Sequence, residues 1–325
     1  MVRQPAIVGE FWFNTEPLKP EDLAGKVVLV DFWTYSCVNC LQTLPYLKRW
    51  WERYREGSFV LIGIHTPEFE FEKDPKNVER AIRGLGVTWP VVLDNAYVNW
   101  NAFANRYWPA KYLVDPKGRI VYSHFGEGAY AETEREIQRL LRERDPAVVL
   151  PPITADEHSH GGVCFVPTPE TYCGYLRGRL ANAGGYQQDR VAEYRAPEGI
   201  PDDSIALDGK FLARPEYVES AGPEAALLLR FRATEVNVVL RPSSAKASDG
   251  EPVGASAIVE VTLEGKPLPA EIRGREVSGS GEANVKNPAL YNLLKSKMPV
   301  EGTLAVRAKR GNSQAYAFTF SGCTG

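Results

Sequence analysis

The first 145 residues alternate short apolar runs with segments that repeat apolar residues at helical spacing. The apolar runs, which predict strands buried on both faces of a sheet, are residues 27–32, 59–64 and 91–93. The segments that predict helices are residues 41–54, 77–85, 97–107 and 133–144. Residues 111–114 and 119–123 flank an Asp-Pro-Lys-Gly turn, which predicts a β-hairpin. This alternation predicts an α/β domain with a mixed sheet.

From about residue 170 the apolar positions recur every second residue. Such alternation occurs in residues 227–233, 257–263, 304–308 and 316–320, and the turn at 310–312 predicts that the last two segments form a hairpin. Short alternating strands predict an all-β sandwich of jelly-roll type. Prolines and glycines punctuate the stretch between the halves. The predicted organisation is therefore a domain over 1–145, a linker over 146–168 and a β-sandwich over 169–325.

Composition and charge narrow the class of protein. A length of 325 residues agrees with two domains, and 44% hydrophobic with 24% charged residues excludes a mainly disordered chain. The net charge of -3 makes nucleic acid an unsuitable partner. No apolar run approaches the roughly 20 residues that span a bilayer. No signal peptide opens the sequence, so we expect either a cytoplasmic protein or one whose leader lies outside this sequence.

Two of the five cysteines form a Cys-x-x-Cys motif, Cys37-Val38-Asn39-Cys40, directly after a predicted buried strand. A cysteine that opens a helix meets free N–H groups and the positive end of the helix dipole, which favour its thiolate. Thiol–disulfide exchange requires a thiolate. We therefore predict that Cys37 attacks a disulfide and that Cys40, one turn later, resolves the product.

The surroundings of this motif resemble the thioredoxin superfamily. Asp31 lies six residues before Cys37, Pro45 lies eight residues after it, and Pro109 precedes the predicted hairpin. The resemblance implies that Asp31 exchanges a proton with the resolving thiol. It also implies that Pro45 lies within the active-site helix and that Pro109 forms a cis peptide bond facing the dithiol.

The separation of about 70 residues between Cys37 and Pro109 is typical of the TlpA-like branch. The segments FWTYSCVNC, HTPEF and LDNAYVNWNAFANRYWPAKYLVD further resemble the soluble part of DipZ-type proteins. There, a carbohydrate-binding-module-like β domain follows, often opening near a segment such as Thr168–Tyr172. The resemblance implies protein disulfides as substrates, a membrane electron donor of the CcdA type and no cofactor. It also implies an extracytoplasmic location, with a leader or membrane domain outside this chain, and it allows a glycan on the β domain; a cytoplasmic location is the alternative.

Three further cysteines, Cys164, Cys173 and Cys323, do not belong to that family pattern. If Cys37 pairs with Cys40, these three allow at most one further disulfide, and the sequence does not choose among the pairings. A second bridge would indicate an oxidising compartment.

A Cys-x-x-Cys motif also occurs in proteins of other functions, which we consider in turn. A peroxiredoxin needs a threonine three residues before its cysteine, which Thr34 provides, but its proline seven residues before is replaced by Val30. A zinc site needs two more ligands at close spacing, and none follows. His158 and His160 near Cys164 are a weak metal signal. We therefore predict no metal and favour a disulfide reductant, with a thiol peroxidase or a glycan- or protein-binding module as alternatives.

Several other residues have both a functional and a structural interpretation. Trp33 and Trp108 flank the predicted site. Their side chains either contact an extended substrate segment or pack against other residues of the domain. His65 and the following acidic residues are predicted to form a solvated loop, these residues being Glu68, Glu70 and Glu72. Aromatic residues of the β domain either fill its core or line a sugar site, these being Tyr172, Tyr175, Tyr186, Tyr194 and Tyr217.

Overall fold

A computed structural model describes residues 2–154, 165–243 and 256–322. The chain divides into two compact units, one within residues 1–159 and one within 160–325. Among the described residues, no helix is both long and apolar enough to cross a membrane.

The first unit is a seven-stranded mixed sheet with helices, as predicted from the alternating pattern. Its strands are β1 (Val2–Arg3), β2 (Trp12–Phe13), β3 (Val27–Trp33), β4 (Phe59–His65), β5 (Val91–Leu93), β6 (Ala110–Val114) and β7 (Arg119–Phe125). The order across the sheet is β1-β7-β6-β3-β4-β5-β2, with β4 parallel to β3 and β5 and the other pairs antiparallel. Strand β3 is central and all seven of its residues are buried, which explains its continuous apolar run. The predicted β-hairpin is confirmed as β6 and β7.

The helices of this unit are α1 (Pro20–Leu23), α2 (Val38–Tyr54), α3 (Pro75–Leu85), α4 (Val98–Ala102) and α5 (Tyr130–Arg144). Helix α2 follows β3 after a four-residue loop and contains Pro45. It buries Leu44, Leu47 and Trp50, and each such side chain contributes about 1.5–3 kcal/mol when removed from water.

The helix predicted over 97–107 is mostly wrong, because α4 ends at Ala102. Ala104 has a φ of 51°, a left-handed conformation that an α-helix does not accommodate. The chain then continues irregularly towards the cis peptide bond that precedes β6.

Part of the predicted linker is bound to the first unit. The amide of Thr154 donates to Glu134 Oε2 at 2.8 Å, and Gln138 Nε2 on α5 donates to the Pro151 carbonyl at 2.7 Å. Arg53 Nη1 on α2 donates to the Pro152 carbonyl at 3.1 Å. Residues 151–154 therefore wrap along α2 and α5, and residues 155–164 lie outside the described ranges.

The second unit is all-β in its regular structure apart from one short 3₁₀ turn, Ala270–Ile272, within the described ranges. Its strands are β8 (Thr171–Tyr172), β9 (Val191–Tyr194), β10 (Ile205–Ala213), β11 (Val218–Ser220), β12 (Ala226–Pro242), β13 (Ala257–Leu263), β14 (Lys266–Pro267), β15 (Glu282–Val285), β16 (Ala289–Arg310) and β17 (Ser313–Ser321). Pairings β12–β10, β10–β11, β11–β17 and β17–β12 form a closed circuit. The alternating residues Leu227, Leu229, Phe231 and Ala233 all join the core of this unit, as their period of two predicts.

The hairpin predicted around residues 310–312 is wrong. Strands β16 and β17 flank this turn, but in the described residues both pair with β12 and not with each other. The long strand β12 therefore lies between them, and the turn carries the chain from one edge of β12 to the other. The turn residues correctly predicted that the chain reverses direction at 310–312. The strand that β16 and β17 each pair with, β12, is set by long-range contacts and not by the turn.

Candidate active site

The Cys-x-x-Cys motif joins the carboxyl end of β3 to the start of α2. Cys37 is the N-cap residue of α2, and its Sγ accepts a hydrogen bond from the Cys40 amide at 3.3 Å. Cys37 is half-buried and Cys40 is only 1% exposed, and both are free thiols. The Cys37 sulfur is therefore accessible to another molecule, whereas the Cys40 sulfur is shielded from solvent.

Asp31 lies in the middle of β3 and is 2% exposed. Burial raises the pKa of this carboxyl to about 7. Its Oδ1 has no hydrogen-bond partner among the residues described. Burial also raises the pKa of Cys40 well above its usual range, with Cys37 and the negative charge of Asp31 acting in the same direction. A buried acid titrating near neutrality thus interacts electrostatically with the buried thiol.

A buried lysine that the sequence analysis missed lies opposite Asp31. Lys111 on β6 is the cross-strand partner of Asp31 and is 0% exposed. Its Nζ lies 3.4 Å from the Gly126 carbonyl, to which it donates, and 5.5 Å from the centre of the Tyr130 ring. Burial lowers the pKa of Lys111, while the charge of Lys111 counters the rise in the pKa of Asp31. A lysine inside the otherwise apolar strand AKYLV was the available signal.

The Trp108–Pro109 peptide bond is cis, as the family resemblance implies. Pro109 is buried directly before β6, whose Ala110 pairs with Phe32 of β3. The Pro109 carbonyl accepts a hydrogen bond from the Gly126 amide at 2.8 Å. Proline has no N–H, so Pro109 offers no backbone donor at this point, and its carbonyl already accepts one hydrogen bond.

The two tryptophans proposed for a substrate groove differ in accessibility. Trp33 is 1% exposed and contacts His65 edge to face, which agrees with the packing alternative for this residue. Trp108 is half-buried, donates from Nε1 to the Thr66 carbonyl at 3.1 Å and lies 4.2 Å from the Trp100 ring. Only Trp108 of this pair can still contact a substrate.

The prediction of a solvated loop from His65 to Glu72 is also wrong. His65 and Glu72 are both fully buried, while Glu68 is half-buried and Glu70 is exposed. Thr34 Oγ1 and Ser36 Oγ each donate to Glu72 Oε1 at 2.5 Å, and Thr34 Oγ1 lies 3.3 Å from His65 Nε2. The acidic composition suggested a solvated surface, but the apolar residues Phe69 and Phe71 between these acids pack inwards and carry Glu72 with them.

Of the remaining three cysteines, only Cys173 lies within the described residues. Cys173 is a free, fully buried thiol of the second unit, and burial raises its pKa. Cys164 and Cys323 lie outside the described residues, as do His158 and His160. Within the described ranges, no group of three or more potential ligands could hold a metal ion.

The tyrosines of the β unit divide between its core and its surface. Tyr194 is in the core, and Tyr175 and Tyr186 pack against it. Tyr217 lies 5.1 Å from the Tyr316 ring, and Arg177 stacks 3.7 Å from the centre of the Tyr172 ring. Tyr175 also donates to the exposed Asp189, which pairs with Arg214 at 3.0 Å.

Comparisons with known proteins agree with both units. Residues 13–123 match the AhpC/TSA family, and residues 168–321 match the family described as thioredoxin-like C-terminal domain. DipZ of Mycobacterium tuberculosis is 34% identical over 314 residues, which are 95% of this chain but 41% of DipZ. The chain therefore spans less than half of that relative.

Other relatives resemble the first unit alone. Thiol-disulfide oxidoreductase YkuV of Bacillus subtilis is 27% identical over 43% of this chain and 95% of its own. The solution structure of a thioredoxin-like protein in the oxidized form is 28% identical, with a TM-score of 0.41, and covers 44% of this chain and 96% of that one. The two family models, DipZ and YkuV confirm the resemblance to thioredoxin-like proteins. Residues 13–123 are therefore similar to the AhpC/TSA family and residues 168–321 to the thioredoxin-like C-terminal family, and together they are similar to part of DipZ.

Proposed function

We propose that this chain is a thiol–disulfide oxidoreductase that reduces protein disulfides through Cys37 and Cys40. The observation that carries the proposal is the pairing of a half-buried N-cap thiol with a fully buried thiol, whose pKa is raised by burial and by the charge of the buried Asp31 carboxyl group. Such asymmetry separates the attacking sulfur from the resolving one.

The reaction proceeds in two exchanges. The Cys37 thiolate attacks one sulfur of a substrate disulfide, forming a mixed disulfide and releasing the other substrate sulfur as a thiolate. Cys40 then loses its proton to the Asp31 carboxylate and attacks Cys37 Sγ. The second substrate thiolate leaves, and the chain is left with a Cys37–Cys40 disulfide that an external dithiol must reduce.

Lys111 and Pro109 complete the site. The Lys111 ammonium group offsets the negative charge that the Asp31 carboxylate and the Cys40 thiolate bring into the interior. Pro109 shapes the groove beside the dithiol, and Trp108 supplies its backbone to an extended substrate segment.

Two features favour a reductant over the alternatives. Val38 and Asn39, between the cysteines, carry no charge that would stabilise a thiolate strongly, as an oxidant requires. A peroxidase would need the Thr34 hydroxyl for its peroxide, but Thr34 donates that proton to Glu72.

The direct test is the reduction of insulin by the full chain with dithiothreitol as electron donor. We expect the wild-type chain to accelerate insulin precipitation and the Cys37→Ser variant to leave it at the uncatalysed rate. Equal rates for the two proteins would contradict the proposal.

The electron donor and the location are separate proposals, which rest on the family resemblance. We propose that the external dithiol belongs to a membrane protein of the CcdA type and that the chain acts in an extracytoplasmic compartment.

A second candidate function is glycan binding by the β unit, favoured by one surface cluster. Tyr175, Asp189 and Arg214 combine an aromatic ring with exposed polar groups joined by hydrogen bonds, a combination that suits a sugar ring and its hydroxyls. In calorimetric titrations of the full chain with cellohexaose, xylohexaose and chitohexaose, we expect heat from at least one sugar. The Tyr175→Ala variant should show no such heat of binding. If the wild-type chain gives no heat with any of the three sugars, the glycan-binding proposal is contradicted.

A further inference from the structure

Glu72 is a fully buried acid that the reaction above does not use. It lies in a short 3₁₀ helix, Glu70–Lys73, which follows β4 along the chain. Four donors approach its carboxylate. The Thr34 and Ser36 hydroxyls reach Oε1 at 2.5 Å each, and the amides of Glu68 and Phe69 reach Oε2 at 2.6 and 3.0 Å.

Both carboxylate oxygens of Glu72 therefore accept hydrogen bonds. Burial raises the pKa of Glu72 to about 7, and its hydroxyl and amide donors act in the opposite direction. Burial lowers the pKa of His65 to about 3, so this imidazole is neutral. Because Thr34 gives its proton to Glu72, it accepts from His65 Nε2, and the hydrogen bonds run in one direction towards the carboxylate.

Both hydroxyl residues belong to the loop that presents the attacking thiol. Residues 34–36 connect the end of β3 to Cys37, and Ser36 directly precedes it. One carboxylate thus holds two of the three side chains of this loop and ties them to a segment 36 residues further along the chain. Hydrogen bonds to a charged group are roughly twice as strong as those between neutral groups, so these contacts favour one loop conformation.

We propose that Glu72 is a positioning residue for the dithiol, fixing through Thr34 and Ser36 the loop that places Cys37 at the start of α2. The assignment deepens the proposed function and rests on Cys37 being the attacking thiol. Glutamine has the same shape but only one acceptor oxygen, so it cannot accept all four hydrogen bonds.

The test compares Glu72→Gln with Glu70→Gln, a matched change at an exposed position of the same short helix. Two rates are measured on the full chain at pH 8: insulin reduction and alkylation of Cys37 by iodoacetamide, followed by mass spectrometry. Circular dichroism confirms that each variant is folded. For Glu72→Gln we expect kcat/KM for insulin to fall about 10- to 100-fold, with a changed alkylation rate, because small displacements of a reacting group have effects of that order. Glu70→Gln should stay within about twofold of wild type.

A folded Glu72→Gln variant with wild-type rates in both assays would overturn the proposal. If that variant does not fold, Ser36→Ala decides instead, again with Glu70→Gln as the control. Ser36→Ala removes one donor to Glu72 and should slow insulin reduction; wild-type activity of a folded Ser36→Ala variant would overturn the assignment. Alkylation needs no disulfide substrate, so a wild-type chain that fails to reduce insulin would refute the proposed function while leaving this test intact.

Discussion

The Cys37→Ser variant is expected to lose disulfide reductase activity completely, whereas the Cys40→Ser variant should accumulate a mixed disulfide with its substrate. The difference follows from exposure, because Cys37 is half-buried at the start of α2 and Cys40 is 1% exposed behind it. Without Cys37 no sulfur can reach the substrate. Without Cys40 the first exchange proceeds and the second cannot. Non-reducing gels and mass spectrometry after incubation with insulin would show the covalent complex for Cys40→Ser alone.

Cys173→Ser is the matched control for these variants. Cys173 is also a fully buried free thiol, but it belongs to the second unit. Its replacement should leave the insulin-reduction rate unchanged. A complex trapped by Cys37→Ser, with Cys40→Ser inactive, would reverse the assigned roles of the two sulfurs.

The Asp31→Asn variant is expected to gain stability at alkaline pH and to resolve mixed disulfides more slowly. The pKa of Asp31 rises from 3.8 to about 7 on folding, so between these values the folded state keeps a proton that the unfolded chain loses. Wild-type stability therefore falls as pH rises from about 4 to about 7 and stays lower above that. Asparagine removes this dependence, with a gain of at most about 4 kcal/mol at pH 8 and little difference at pH 4. Urea unfolding at both pH values measures the effect.

Lys111 limits that gain, because asparagine removes the largest negative charge that acts on the buried ammonium group. The double variant Asp31→Asn with Lys111→Met should therefore be more stable at pH 8 than either single variant. Equal pH dependence of wild type and Asp31→Asn would contradict the raised pKa.

The catalytic part of the prediction is checked by loading Cys37 with thionitrobenzoate and following its release, which needs Cys40. Loss of the general base should slow that release on the order of 10²-fold at neutral pH.

The residues next to the cysteines were predictable because their chemistry is local. A buried apolar strand and a Cys-x-x-Cys at a helix start indicate a thiol–disulfide site from local chemistry, whereas the roles of Asp31 and Pro109 were implied by the resemblance to thioredoxins. The cis bond before Pro109 and the central position of β3 agree with these expectations.

The contacts of Lys111 and Glu72 were not predictable in the same way. Lys111 meets Asp31 only because β6 pairs with β3 in one register, and a shift by one residue would turn it to the other face. Glu72 is 36 residues from Ser36, and its acidic neighbours suggested a solvated surface. The pairing of β16 and β17 with β12 was missed for the same physical reason, since local periodicity carries no information about which strands meet.

The most direct test of the central claim is the reduction potential of the Cys37–Cys40 pair in the full chain. The chain is equilibrated with glutathione and dithiothreitol buffers, and the redox state is read by alkylation and mass spectrometry. The same spectra report the state of Cys164, Cys173 and Cys323. A reductant with a buried acid beside its resolving thiol should have a potential of about -270 mV or lower. A potential of about -120 to -180 mV would identify an oxidant or isomerase and would contradict both the direction of electron flow and the role given to Asp31.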